Sequence, residues 1–340
     1  MAEVYFKRIV LGVDLAGCPN RCKHCWLGHM PNGNLTNEDL KSVAKAFEKY
    51  TDVLEVYSWI REPDYKSNYK ELWELDCKLS KNSKPKRFEL LSFWRINRDK
   101  EYVKWAYELG VRKCQLSFFG LEDTTDYYVG RKGAFKELLN ATKILIEHKI
   151  APRWQIFVNK DNISELEPLI NLASELKLEQ RCTAFNETFE VFIHQGSCDG
   201  ENEKLYDSRI TESDLNLIPQ KYQLSLGETE NKLYYELIND HSTMNLVLDE
   251  PVFYVTKDFN VYPNYSQISD WWCLGNLFTD GIDVVLNHYL NNHSLAQHIR
   301  LTVPLSTIVK SVGNPESLRL FEKEDYIIYL LNQYCKKNSL

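Results

Sequence analysis

The chain has 340 residues, 44% of them hydrophobic, enough for a large core in one catalytic domain plus a further module. Its 41 basic and 48 acidic residues leave a net charge of -7 with no long basic tract, which argues against nucleic acid as a partner. No apolar run approaches the ~18 residues a membrane helix needs, and no signal core opens the chain, so a cytoplasmic protein without membrane contact is expected.

In chain order, short apolar runs alternate with helical patterns. Strands are expected at 8–15, 53–59, 87–93, 112–118 and 153–158, with a sixth inside 182–193. Several are apolar nearly throughout, as parallel strands covered on both faces are. Helical spacing fills 37–49, 69–80, 100–109, 134–148 and 163–176; Thr36 with Asp39, and Asn162 with Glu165, have the spacing of capping boxes. Six βα units in series predict an α/β fold, a partial (β/α)6 barrel, with its chemistry at the C-terminal ends of the strands.

Near residue 195 the character changes. The polar run GSCDGENEKLYDS reads as a linker or long loop, so residues 1–200 are expected as the core domain and 201–340 as a smaller α+β extension. The extension contains a hairpin over 251–262, turned by 257–260, and helical patterns near 281–289 and 318–335.

Nine cysteines is an odd number in a large chain without an export signal, so reduced thiols are expected rather than a disulfide framework. Cys18, Cys22 and Cys25 fall within eight residues, and Cys77, Cys114, Cys182, Cys198, Cys273 and Cys335 are dispersed. Cys114 lies inside a strand and reads as core. The triplet follows the first strand, at the mouth of the expected barrel. Three thiolates on a short loop can hold three irons of a cubane cluster and leave the fourth iron open. A structural zinc site with His24 or His29 as fourth ligand is the alternative, although no second CxxC pair accompanies it.

The C-x3-C-x2-C spacing after the first strand resembles the radical S-adenosylmethionine (SAM) superfamily. The resemblance covers about residues 5 to 195 and implies one [4Fe-4S] cluster on Cys18, Cys22 and Cys25, with SAM on its open iron. It implies further that His24 contacts the adenine. Ile60-Arg61-Glu62-Pro63 stands at the family's Gly-Gly-Glu-Pro motif, keeping Glu62 for the methionine amino group and losing both glycines. Ser117 would face the ribose, Arg131 the methionine carboxylate, and Asn159 the ribose or adenine. Taken singly, each also reads as ordinary structure: a small strand residue, a loop charge, a turn former, a solvated carboxylate.

Residues 260–264 and 272–277 resemble SPASM or twitch extensions, which carry auxiliary clusters in many family members. Asn264 stands where a cysteine is usual, which implies a degenerate extension without an auxiliary cluster. Cys273 is then a hydrogen-atom donor, a relic ligand or a packing residue. The resemblance also implies a flavodoxin or ferredoxin electron donor, for which Arg21 and Lys23 beside the triplet offer positive charge, and a peptide or small natural-product substrate. Trp26, Trp59, Trp94, Trp154, Trp271 and Trp272 are candidates for the substrate pocket.

Overall fold

Apolar residues on both faces of 6–13 and 51–57 make these segments buried strands, β1 (Phe6–Val13) and β2 (Thr51–Tyr57), paired in parallel register from Phe6 opposite Thr51 to Gly12 opposite Tyr57. The computed structural model describes residues 5–87 and 89–339. Between β1 and β2 runs the helix Asn37–Glu48, whose start has the expected capping box: Thr36 accepts the Asp39 N–H and Asp39 reaches back to the Thr36 N–H. Such a cap contributes about 1 kcal/mol.

A second parallel sheet is built from β3 (Lys113–Phe118), β4 (Ala151–Phe157) and β5 (Glu190–His194) in that order. The helix Ala134–Glu147 covers it with Leu138, Ala141 and Leu145. The later strands are short: β6 (Glu228–Thr229), β7 (Val252–Val255), β8 (Asn260–Pro263), β9 (Gly275–Asn276) and β10 (Leu320–Phe321). The hairpin β7–β8 is as expected, but β7 also pairs in parallel with β1, so the first sheet runs β2-β1-β7-β8-β9. The first sheet is thus mixed and the second parallel, and among the described residues the strands form no closed barrel.

Two expectations are corrected. Of the third strand at 87–93, Phe88 lies outside the described residues, and the rest forms no strand. Arg87 is drawn into a buried ion pair with Asp64, and Ser92 caps the short helix Phe93–Ile96, accepting the Arg95 N–H at 3.1 Å. One backbone bond, from Gln115 N to Glu89 O at 2.7 Å, ties this segment to β3. The second capping box does not form. Asn162 donates to the carbonyls of Phe119 and Phe157, and Glu165 takes the Leu121 N–H and the Thr124 hydroxyl.

Of the two forms expected for the run after 195, it is the long loop, with a 3-10 turn at Gly200–Leu205. Cys198, Asp199 and Asn202 are buried, and the Glu201 N–H donates to the Cys25 carbonyl at 3.0 Å, so this turn packs against the cysteine loop. Gly200 makes that approach possible: at φ +56° a β-carbon there would stand 2.4 Å from the Trp26 carbonyl oxygen.

Hydrophobic side chains of β1 and β2 share one core with Phe253, Val255 and Tyr289, so residues on either side of position 200 build it together. A second core lies under β3–β5, with Cys114 fully buried in it, and a third is built by Trp272, Tyr326 and Leu330. No helix among the described residues is long and apolar enough to cross a membrane.

Candidate active site

The loop after β1 carries the cysteine triplet, and several contacts fix it. Its backbone is tied to the end of a neighbouring helix, with the Arg21 N–H bonded to Val129 O and the Lys23 N–H to Tyr128 O. Across its base, Arg61 forms a buried ion pair with Asp14 at 2.6 Å and donates to the Met30 carbonyl at 2.7 Å. Arg21 donates to the Cys18 and Asn20 carbonyls at 2.9 Å, and the Lys23 ammonium rests 4.4 Å from the Tyr127 ring.

Cys18, Cys22 and Cys25 line a cavity of about 740 Å³ at the C-terminal ends of the strands. Burial pushes all three thiols above their ordinary range, most for Cys18 and Cys22, so their thiolates form only against a compensating cation. Among the described residues no three His, Cys, Asp or Glu side chains converge as a single metal ion requires. Three thiols on one loop suit a cluster in which each thiolate takes its own iron.

His24, Glu62 and Ser117 line the same cavity. The His24 ring packs against both Phe119 and Phe157, with centroids 4.7 and 4.2 Å away, and its Nδ1 is buried with no partner. Burial lowers its pKa to about 3, so the ring is neutral. Glu62 accepts from the Ser92 hydroxyl, and the Cys18 thiol lies 3.8 Å from its other oxygen. Burial raises its carboxyl to about 7 against those hydrogen bonds. The Ser117 hydroxyl donates to Gln155 Oε1 at 3.1 Å, which also accepts from Gln115 Nε2 at 2.7 Å. These three make a polar strip on the inner face of β3 and β4.

The other expected site residues stand outside this lining. Arg131 lies behind the cysteine loop, donating to Asn20 Oδ1 at 2.9 Å and paired with Glu137 at 2.6 Å. Its charge favours the Cys22 thiolate and the Glu62 carboxylate. Asn159 accepts the Asp161 N–H at 2.9 Å and borders a small crevice behind His24. Cys273 packs in the C-terminal core beside Tyr262. Of the six tryptophans, Trp26 and Trp59 reach the cavity. Trp154 is buried against Thr142, and the indoles of Trp271 and Trp272 both donate to Asn332.

Sequence reasoning missed Gln155, His194, Asn202 and Asp325, all on the cavity wall. Gln155 was findable as a polar residue set between Trp154 and Ile156 in β4. The others sit at a strand end, in a turn and on a helix, where one polar residue has no periodic signature.

A strand-end cavity lined by three half-buried thiols is suited to a thiolate-held cofactor. Residues 14–173, just under half of the chain, match the radical SAM superfamily model. The cofactors of that superfamily are a [4Fe-4S] cluster and SAM.

The structure is similar to native anSMEcpe with bound AdoMet and Kp18Cys peptide, at TM-score 0.53 and 14% identity over 97% of both chains. It is also similar to native anSMEcpe with bound AdoMet, at TM-score 0.50 and 13% identity over 97% of both. At such identity the likeness is one of fold. In sequence, 84 residues are 29% identical to Fe-coproporphyrin III synthase of Methanosarcina barkeri, covering 25% of this chain and only 21% of that relative.

Proposed function

We propose that this enzyme cleaves SAM reductively at one [4Fe-4S] cluster held by Cys18, Cys22 and Cys25 and abstracts hydrogen from a peptide or small natural-product substrate. The observation that carries the reading is the single cavity shared by the three thiols, His24, Glu62 and Ser117. When bound, the cluster supplies the electron that breaks the sulfonium C–S bond of SAM, giving a 5'-deoxyadenosyl radical and methionine.

The chain's own residues orient and shield. Neutral His24, held against the stacked pair Phe119 and Phe157, offers a flat surface to the adenine. Glu62 accepts from the amino group of the methionine moiety, and Arg131 biases the site toward its carboxylate. Ser117 and its glutamine partner Gln155 meet the ribose, with Asn159 a more distant support. The aromatic wall excludes water from the reacting centre.

Cys273 does not line the cavity, so a hydrogen-donor role has no geometric support, and packing accounts for it. The site draws its electron from a flavodoxin or ferredoxin. Arg21 offers that donor little free charge, since its guanidinium holds loop carbonyls, and Lys23 is the better placed cation. A peptide substrate is supported by the fold shared with anSMEcpe, one of whose structures holds AdoMet and a peptide. A cytoplasmic setting agrees with the reduced thiols the site needs.

The test is 5'-deoxyadenosine release under dithionite. The wild-type protein is expected to release it. Cys22→Ala, with one of three ligands gone, is expected to lose at least ~100-fold, the upper end for lost metal-site partners. Equal release from both would refute the assignment.

A further inference from the structure

The cavity has two unlike walls. Trp26, Tyr57, Trp59 and Tyr254 make one side aromatic, whereas His194, Ser197, Asn202 and Asp325 make the other polar. Two of these polar residues lack what their burial demands. Asn202 is 1% exposed, and neither its Nδ2 nor its Oδ1 has a hydrogen-bond partner. A buried primary amide with both ends unmet is a costly arrangement that a bound ligand relieves.

Asp325 is the second. Its carboxylate has the His194 ring and the Arg209 guanidinium within electrostatic reach, and neither pairs with it. Arg209 directs its nitrogens to the carbonyls of Gly196 and Leu320 and to the Cys198 sulfur. His194 lies 3.5 Å from Glu322 instead. Asp325 therefore has no ion-pair partner among the described residues, in a half-buried position facing the cavity. It acts on Cys198 and Asp199 as well, which sets it beside the turn that carries Asn202.

We propose that Asn202 and Asp325 form the substrate subsite for a basic residue of a peptide, the amide of Asn202 pairing with backbone N–H and C=O and Asp325 meeting the ammonium or guanidinium group. This deepens the reading of the cavity as a peptide-binding radical site and rests on it. A primary amide, both donor and acceptor, complements the N–H and C=O of one residue in an extended chain. A lone carboxylate in a cavity of low dielectric selects for positive charge and against negative. The aliphatic stem of a lysine or arginine would lie along the aromatic wall opposite.

Calorimetric titration of the cluster-loaded, SAM-loaded protein with three pentapeptides, Gly-Gly-X-Gly-Gly with X lysine, glutamine or glutamate, tests this. The lysine peptide is expected to bind at least ~10-fold tighter than the other two, the effect of one well-placed charge pair. Asp325→Asn is expected to erase that preference, and Asp325→Lys to reverse it in favour of the glutamate peptide, a gain that misfolding cannot imitate. Asn202→Ala should weaken all three peptides alike. Wild-type protein that treats the peptides equally, or an Asp325→Asn variant that retains the preference, overturns the subsite. SAM cleavage by the wild-type protein without peptide is measured in parallel. Its absence would count against the enzyme reading and would leave the binding comparison intact.

Discussion

Arg61 stands where the family's motif has a second glycine, and its side chain crosses to the loop that carries the cysteines. With Asp14 it forms a pair whose side chains are 5% and 2% exposed. Removing one member of a buried pair leaves the other uncompensated, so Arg61→Ala is expected to destabilise the protein by about 3–5 kcal/mol in denaturant unfolding. The same variant should hold less iron per chain, because the Met30 and Pro31 carbonyls lose their donor. Unchanged stability and iron content would show the pair to be incidental. At this scale the sequence was legible where chemistry repeats in a known order: the triplet, His24, Glu62 and Ser117 all reach one cavity. Arg131 and Asn159 were harder to read, since a residue near a strand end can face the ligand or brace the loop behind it. Both are engaged with protein partners.

Secondary-structure elements hold the site through buried polar contacts as well as apolar ones. Asp76, in the helix Tyr69–Leu79, accepts from the backbone and hydroxyl of Ser58 just beyond β2. Burial raises its carboxyl from 3.8 to about 8, outweighing those two hydrogen bonds. The folded state therefore holds a proton that the unfolded state gives up. Stability should fall as pH rises from ~4 to ~8, by at most about 1.4 kcal/mol per unit, and level off above. Asp76→Asn, which keeps an acceptor for Ser58, should flatten that slope in thermal melts across the range. A slope unaltered by the substitution would assign the pH dependence elsewhere. Five of six expected strands lie close to their predicted positions because apolar runs between helical patterns carry the signal. The segment 87–93 misled because its hydrophobic residues look like a strand, and the Arg87–Asp64 pair and the Ser92 cap, both tertiary or local polar effects, decide otherwise.

Across the whole molecule, the chain returns to its first strand. β7 pairs with β1, and the turn at 196–202 packs on the cysteine loop, so the C-terminal region completes both the first sheet and the cavity. A boundary at 200 was a fair reading of composition, since the run there is polar and glycine-bearing. Its burial depends on what stands opposite, which no local pattern records. The cavity accordingly combines the thiols of the first loop with Asp325 near the other end of the chain. On the proposed reading, the three thiols hold one cluster and no other metal. Anaerobic purification followed by metal analysis tests this most directly. The expected result is a brown protein with about four irons per chain, lost when Cys18, Cys22 and Cys25 are all replaced by alanine. A colourless protein carrying about one zinc per chain would contradict it.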